Sequence, residues 1–381
     1  MDFEPSRSAA VENLKNFLNN GLLKYSKLRN FDFGPKERTN ISCLSPYISH
    51  GVISELEIID GTLKKNSFFK NEKFIQEILW RVYWKGWLEL RPKVWSDFIT
   101  DLIRLKQEYS ENKKYLEAVE GKTKIACFNE WVSELKNYNY LHNHTRMWFA
   151  SIWIFTLGLP WQLGAEFFMK YLFDGDSASN TLGWRWVAGI QTKGKNYIAS
   201  EWNIKKFTNN KFNEIKLNEK PISIVDERNY PIVNNGFQNA SLSNNKDLLI
   251  FDNNISFEKS DFHHESFKKI YFVFNGNNTR KIKLNEKVLE FKKSLINNQI
   301  ENLKNKSLDC KLIDIQDLKD RKEDLLALYP CVGENLDYIK LNGNKNICYL
   351  YRKVDQYSWR YCNKGFFNFK NYIPKIIQEF I

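Results

Sequence analysis

Phe173-Asp174-Gly175-Asp176-Ser177-Ala178-Ser179-Asn180-Thr181-Leu182-Gly183-Trp184-Arg185-Trp186 sets two carboxylates, an amide and two indoles almost side by side. The acidic residues do not continue at the spacing of a calcium loop. Such a mixture suits a ligand rich in hydrogen-bonding groups or positive charge. Working outward, Tyr140-Leu141-His142-Asn143-His144-Thr145-Arg146-Met147 puts Asn143, Arg146 and Met147 on one helical face, with His142 and His144 on its flanks. Two histidines at i and i+2 of a helix diverge, which argues against a shared metal. Further back, Glu77, Trp80, Arg81 and Trp84 fall at i, i+3, i+4 and i+7. They make either a pocket wall for a heteroaromatic ring or a half-buried helix carrying an ion pair. Asn40-Ile41-Ser42-Cys43-Leu44-Ser45-Pro46-Tyr47 presents hydroxyls and backbone N–H groups at a helix start, which fits a phosphate. The plainer reading is a capped helix beginning at Ser45-Pro46.

These segments sit in a half that reads as all-helical. Apolar residues recur at three- and four-residue spacing over 8–20, 53–69, 74–90, 115–135, 143–158 and 161–173, and no strand is evident before about residue 220. A polar linker rich in Asn and Lys (209–221) follows. Short apolar runs come next, Ile222–Val225, Leu248–Phe251, Ile270–Phe274, Leu312–Ile315 and Ile347–Tyr351, with an amphipathic helix at 286–303 between the third and fourth. The pattern predicts an all-α domain over 1–215 and a smaller α/β, Rossmann-like domain with a largely parallel sheet over 216–381.

Composition bounds the rest. Hydrophobic residues at 43% and charged residues at 27% exclude wholesale disorder. Eleven of the 12 Trp lie between Trp80 and Trp202, so the two halves differ in kind. A net charge of +12 permits a polyanionic partner without requiring one. The six Cys form no CxxC pair, and reduced thiols with no metal site are expected. The start, Met1-Asp2-Phe3-Glu4, lacks the order of a signal peptide, and the apolar stretch from Met147 to Leu159 is too short to span a bilayer. A cytoplasmic protein, a monomer with no membrane segment, is expected.

Taken together, Glu77-x-x-Trp80-Arg81, Leu141-His142-Asn143-x-x-Arg146-Met147 and Asp174-Gly175-Asp176-x-x-x-Asn180-x-x-Gly183-Trp184-x-Trp186 occur in that order and at matching separations. They resemble the FAD-binding helical domain of the DNA photolyase and cryptochrome family. Ser42-Cys43-Leu44-Ser45 matches its serine-rich phosphate-binding stretch, and the likeness runs from about Tyr25 to Phe207. The resemblance implies FAD as cofactor, with Tyr25, Ser42, Leu44 and Ser45 at the diphosphate and ribityl region. Arg81 would line the flavin pocket, Arg146 would lie beside the isoalloxazine, Asp174 and Asp176 would contact the bent cofactor, and Asn180 would face flavin N5. Glu77, Trp80, Asn143, His144, Met147 and Trp186 would line the cavity for a flipped-out pyrimidine dimer. Trp184 and Trp161 would begin a tryptophan chain for photoreduction. Catalysis would then rest on Glu77, Asn180, Trp184 and Trp161, and the partner would be UV-damaged DNA.

Departures from the family pattern accompany the match. The antenna motif Trp-Phe-Arg-x-Asp-Leu-Arg is absent, and the α/β half follows the flavin half, as a permuted antenna domain or an unrelated one. Any antenna chromophore is unidentified. His144 stands where Arg often contacts substrate, and Thr156 where Asp often pairs with the counterpart of Arg146. The third tryptophan has no counterpart, with Tyr109, Trp153 and Trp148 as candidates. The expected activity is blue-light splitting of cyclobutane pyrimidine dimers; the alternative is a photoreceptor of the cryptochrome kind without repair.

Overall fold

The protein is described from a computed structural model, over residues 2–220, 224–233, 236–240, 246–257, 262, 267–342 and 346–381. Helices fill the first 207 residues, and no described residue there is in a strand. The organising element is the Phe68–Glu89 helix. Its residues Phe74, Ile75, Ile78, Leu79 and Val82 are buried at helical spacing, so it runs through the core. The expected helix at 115–135 is two, Lys113–Glu120 and Ala126–Tyr138. Gly121 caps the first in the left-handed conformation, with φ of 70°. The expected helix at 143–158 is α-helical only over Asn143–Ser151. It then widens into a π-helical turn, Ile152–Thr156, closed by donation from the Leu157 N–H to the Ile152 carbonyl at 2.9 Å.

The second region is a parallel sheet of five strands: β1 (Lys246–Ile250), β2 (Phe267–Phe274), β3 (Cys310–Asp314), β4 (Leu325–Leu328) and β5 (Ile347–Leu350). The order is β3-β2-β1-β4-β5, every pair parallel. The three inner strands β1, β2 and β4 are buried on both faces over their apolar runs, while the edge strands β3 and β5 alternate buried with exposed residues. The amphipathic helix is present as Glu286–Lys304, crossing from β2 to β3. Strand β4 escaped the sequence reading: Leu325-Leu326-Ala327-Leu328 has no β-branched residue and four good helix formers. Conversely, Ile224 and Val225 of the first apolar run are irregular, while Ile222 and Ser223 lie outside the described residues.

The two regions pack intimately. One buried cluster joins Phe3, Tyr47 and Phe74 to Ile250, Phe272, Phe291 and Trp359. Gly86 of the long helix shows how close the approach is, since a Cβ there would lie 2.4 Å from the Trp359 ring and 2.7 Å from Cys362 Sγ. Buried polar ties cross the same boundary. Arg352 donates to Glu55 at 3.0 Å, the His50 ring meets the Asp252 carbonyl at 2.7 Å, and Trp95 Nε1 donates to Asp337 at 2.9 Å. No helix among the described residues is long and apolar enough to cross a membrane.

Candidate active site

Asp174 is the centre of the arrangement. It lies just before the Ser177–Val187 helix, is 4% exposed, and its Oδ2 accepts from Ser45 Oγ and, at 2.9 Å, from Arg146 Nη2. Burial alone would raise its pKa, but Arg146 and Ser45 hold it below the ordinary carboxylate value. Arg146 is braced further by donation from Nε to the Leu141 carbonyl at 2.9 Å, and it lies over the Tyr140 ring at 5.1 Å. Asp176 performs two tasks. Its Oδ1 caps the helix by accepting from the Ala178 and Ser179 N–H groups at 3.0 and 2.8 Å, while Oδ2 takes Arg81 Nη2 at 2.8 Å. Residues from three distant segments, Ser45, Arg81 and Arg146, thus converge on two carboxylates. Thr156 does not leave Arg146 unpaired, because Asp174 serves it.

Among the described residues, several polar atoms here have no partner. Asp174 Oδ1, Arg81 Nε, Ser179 Oγ, Thr181 Oγ1 and Trp184 Nε1 are all buried and unsatisfied. Native interiors leave few such atoms. A group of them on and beside one helix fits a large ligand carrying both donors and acceptors, as FAD does. Ser42 is half-buried, Leu44 fully buried, and Cys43 between them adopts a φ of 52°, a left-handed turn that leads into the Ser45–Ser49 helix. Tyr25 is edge-on to Phe17 and Phe74, and burial drives its phenol pKa upward.

The remaining expected residues divide. Glu77 is half-buried and ion-paired with Arg29, and burial raises its pKa against the pull of Arg29. Trp80 is half-buried and stacked flat on Phe366, with centroids 3.5 Å apart and planes at 10°. Met147 is half-buried and Asn143 exposed. Asn180 Nδ2 donates to the Ala165 carbonyl at 2.8 Å. Trp186 stacks on Tyr197 at 5.8 Å. His144 is drawn into the core, its ring nitrogens engaged by the Asn30 carbonyl at 2.9 Å and Tyr197 Oη at 3.2 Å, so neither is free for a ligand.

Trp184 lies against Gly164 and meets Phe168 and Trp153 edge-on at 5.0 and 6.2 Å. Trp161, three residues before Gly164 on the Trp161–Tyr171 helix, stacks on Phe98 at 5.4 Å. Sequence reasoning missed Arg29 and Phe366 altogether. Arg29 carries no spacing signal, and Phe366 lies far along the chain in the other region.

Residues 74–219 match the family model for the FAD binding domain of DNA photolyase. Within the helical region, residues 74–219 are thus similar to a dinucleotide-binding flavin domain. The likeness is to the DNA photolyase family.

Among similar proteins, the deoxyribodipyrimidine photo-lyase of Buchnera aphidicola subsp. Baizongia pistaciae is 31% identical over 201 residues, 51% of this chain and 41% of that protein. The Vibrio cholerae protein of the same name is 29% identical over 203 residues, 52% and 41% respectively. The chain thus spans about two-fifths of the length of these relatives. Among solved structures, a class III photolyase from Agrobacterium tumefaciens is similar at a TM-score of 0.46 and 25% identity, covering 54% of this chain and 43% of that one. A Synechocystis cryptochrome is similar at 0.43 and 20%, covering 54% and 44%.

Proposed function

We propose that this protein is a light-driven, FAD-dependent lyase that splits cyclobutane pyrimidine dimers in UV-damaged DNA and acts as a monomer. Its flavin unit would be residues 1–215, and its smaller α/β unit residues 216–381. The observation that carries the reading is the convergence of Ser45, Arg81 and Arg146 on Asp174 and Asp176, amid unsatisfied buried polar atoms, inside a photolyase-type FAD-binding domain.

Ser42, Leu44, Ser45, Arg81, Arg146, Asp174, Asp176 and Asn180 would hold the cofactor. When bound, reduced FAD supplies the photoexcited electron that breaks the bonds of the dimer. The side chains have quieter work. Asp174 fixes the Arg146 guanidinium at one place, and Asp176 does the same for Arg81 while setting the start of the helix that bears Asn180 and Trp184. Glu77 and Trp80 share a face of the long helix and would receive the everted lesion. Glu77 would offer a hydrogen bond, helped by a pKa raised through burial, and Trp80 an apolar stacking surface. Damaged bases stack poorly, so extruding one costs less than extruding an intact pair.

Phe366 supports a second reading, a photoreceptor without repair, because it already covers one face of the Trp80 indole. One experiment separates the two. Purified protein loaded with FAD and reduced is mixed with a dimer-containing oligonucleotide, and intact pyrimidines are counted after blue light or darkness. Repair is expected only in the light, and Glu77→Ala should lower it by about tenfold or more, as for one buried hydrogen bond of ~1–3 kcal/mol. No repair by fully loaded protein would leave the photoreceptor reading standing.

A further inference from the structure

The rings packed against Trp184 lead away from it in a direction that does not pass through Trp161. Trp184 is buried and touches Phe149, Phe168 and Trp153. Of these three, Trp153 is an indole and the other two are phenyl rings. Its centroid lies 6.2 Å from that of Trp184, edge-on, inside the range of roughly 4.5–7 Å for aromatic rings in contact.

Trp153 is fully buried and stands on the π-helical turn Ile152–Thr156. Such local widenings of a helix recur at functional positions. Its Nε1 donates to the Pro160 carbonyl at 2.9 Å. An acceptor on the indole N–H steadies the positive charge that loss of an electron leaves on the ring. Four rings surround Trp153 besides that of Trp184: Phe128, Phe149, Phe167 and, edge-on at 6.1 Å, Tyr115. Phenyl rings give up electrons far less readily than indoles or phenols, so Tyr115 is the next ring that can supply one. Tyr115 lies on the Lys113–Glu120 helix, half-buried, with Lys113, Lys114 and Leu116 exposed around it. The series therefore runs from a buried indole to the protein surface. The other expected indoles lack this continuity. Trp161 stacks on Phe98 at 5.4 Å, and Trp148 packs on Trp131 and His144.

We infer that Trp184, Trp153 and Tyr115 form an electron relay, a branch separate from Trp161, with Tyr115 as its terminal donor. The inference rests on the reading of the helical region as a flavin domain. Under light, Trp184 yields one electron to the oxidised flavin, Trp153 replaces it, and Tyr115 replaces the electron lost by Trp153. Burial and the Glu166 carboxylate push the Tyr115 phenol up to about 12, so it begins protonated. As its electron leaves, its proton passes to solvent, and a neutral phenoxyl radical remains. A thiol in solution returns one hydrogen atom, which restores the phenol, and two of the resulting thiyl radicals pair as a disulfide.

The test uses the full-length protein with FAD bound and oxidised, illuminated with blue light in the absence of thiol and frozen for EPR. A tyrosyl signal is expected, narrowed when the protein is made with ring-deuterated tyrosine and erased when dithiothreitol is present. Tyr115→Phe should remove it. Trp153→Phe should remove it with Tyr115 still in place, whereas Tyr109→Phe should keep it. FAD content and melting temperature are recorded for each variant. A folding defect in Trp153→Phe is then seen directly, and Tyr115→Phe, at a half-buried position, decides alone. Full FAD with no tyrosyl signal, or a signal that survives in Tyr115→Phe or in folded Trp153→Phe, would overturn the relay and leave the flavin reading standing. Protein that takes up no FAD would overturn both.

Discussion

Replacing Asp174 with Asn tests the centre of the site with almost no change of shape. The wild-type carboxylate accepts from Ser45 and Arg146 through Oδ2, and its Oδ1 is buried without a partner among the described residues. Asn keeps one acceptor oxygen but removes the charge, and charge-assisted hydrogen bonds are roughly twice as strong as neutral ones. Two of them weakened by ~1 kcal/mol each suggest a loss of ~2 kcal/mol in the FAD-free protein. Removing one partner of a buried ion pair costs about 3–5 kcal/mol. The value here should fall short of that, because Arg146 keeps its bond to the Leu141 carbonyl and its place over Tyr140.

The sign with pH follows from the depressed pKa of Asp174. Its contribution is complete above the ordinary carboxylate range and is lost as pH falls through the lowered value, so wild type and variant should converge in acid. Urea unfolding measures this term. The cofactor term is measured separately, as the extra stability gained on adding FAD, which grows as RT ln(1 + [L]/Kd). If Oδ1 answers a donor of bound FAD, the variant should lose a further factor of about 10–100 in affinity. A variant destabilised without FAD yet gaining the full increment with it would make Asp174 a brace for Arg146 only, and the assignment to the cofactor would be wrong.

Trp184→Phe should leave the FAD content near wild type and slow the light-driven reduction of oxidised flavin, followed as bleaching of its absorption band. Wild-type kinetics with full FAD would show that the indole, packed on Gly164 and Phe168, is there for packing alone. Glu89→Gln addresses the boundary between the two regions, where Glu89 accepts from the Val332 N–H at 2.6 Å and Tyr329 Oη at 2.8 Å, and burial pushes its pKa up to about 7. Because the folded value lies above the unfolded one, its contribution is whole below the ordinary carboxylate range and disappears as pH rises through about 7, by ~3 kcal/mol in all. Urea unfolding at pH 5 and pH 8 should show most of that difference, ~2–3 kcal/mol, in wild type and little of it in the variant; equal pH slopes would reject the role of Glu89.

What could be read in the sequence was whatever stood against its local pattern. Arg81, Arg146, Asp174 and Asp176 are charged residues on or beside apolar helices, and buried charge must be paired or bound, so each announced itself before its partner was known. Partner identity was another matter. The pairing of Glu77 with Arg29 and the stacking of Trp80 on Phe366 depend on how separate segments meet in space, and no local spacing encodes that. His144 shows the same limit from the other side. Its helical position is adjacent to Asn143 and Met147, yet the turn at Asn30 and the phenol of Tyr197 draw it inward. In the α/β region, apolar runs with β-branched or aromatic residues gave β1, β2, β3 and β5. The Leu-Leu-Ala-Leu run of β4 is a strand only because β1 and β5 flank it.

The position of the α/β region bears on how the site is held. The long helix that presents Glu77, Trp80 and Arg81 at its middle is gripped at its far end by Trp359, Cys362 and the Glu89 hydrogen bonds. The helix that bears Asn180 and Trp184 is tied at its first residue, where Ser177 Oγ donates to the Val332 carbonyl. Both elements that carry the expected chemistry are therefore anchored by the single segment that follows β4, residues 329–333. That segment includes Cys331 at a φ of 60°, a conformation that bulky residues adopt at a cost and keep only where the surroundings enforce it. A disturbance there would reach the Arg81–Asp176 pair from both sides at once: through the long helix that carries Arg81, and through the helix cap that Asp176 provides. The α/β region thus holds the carboxyl end of one helix and the first residue of the other.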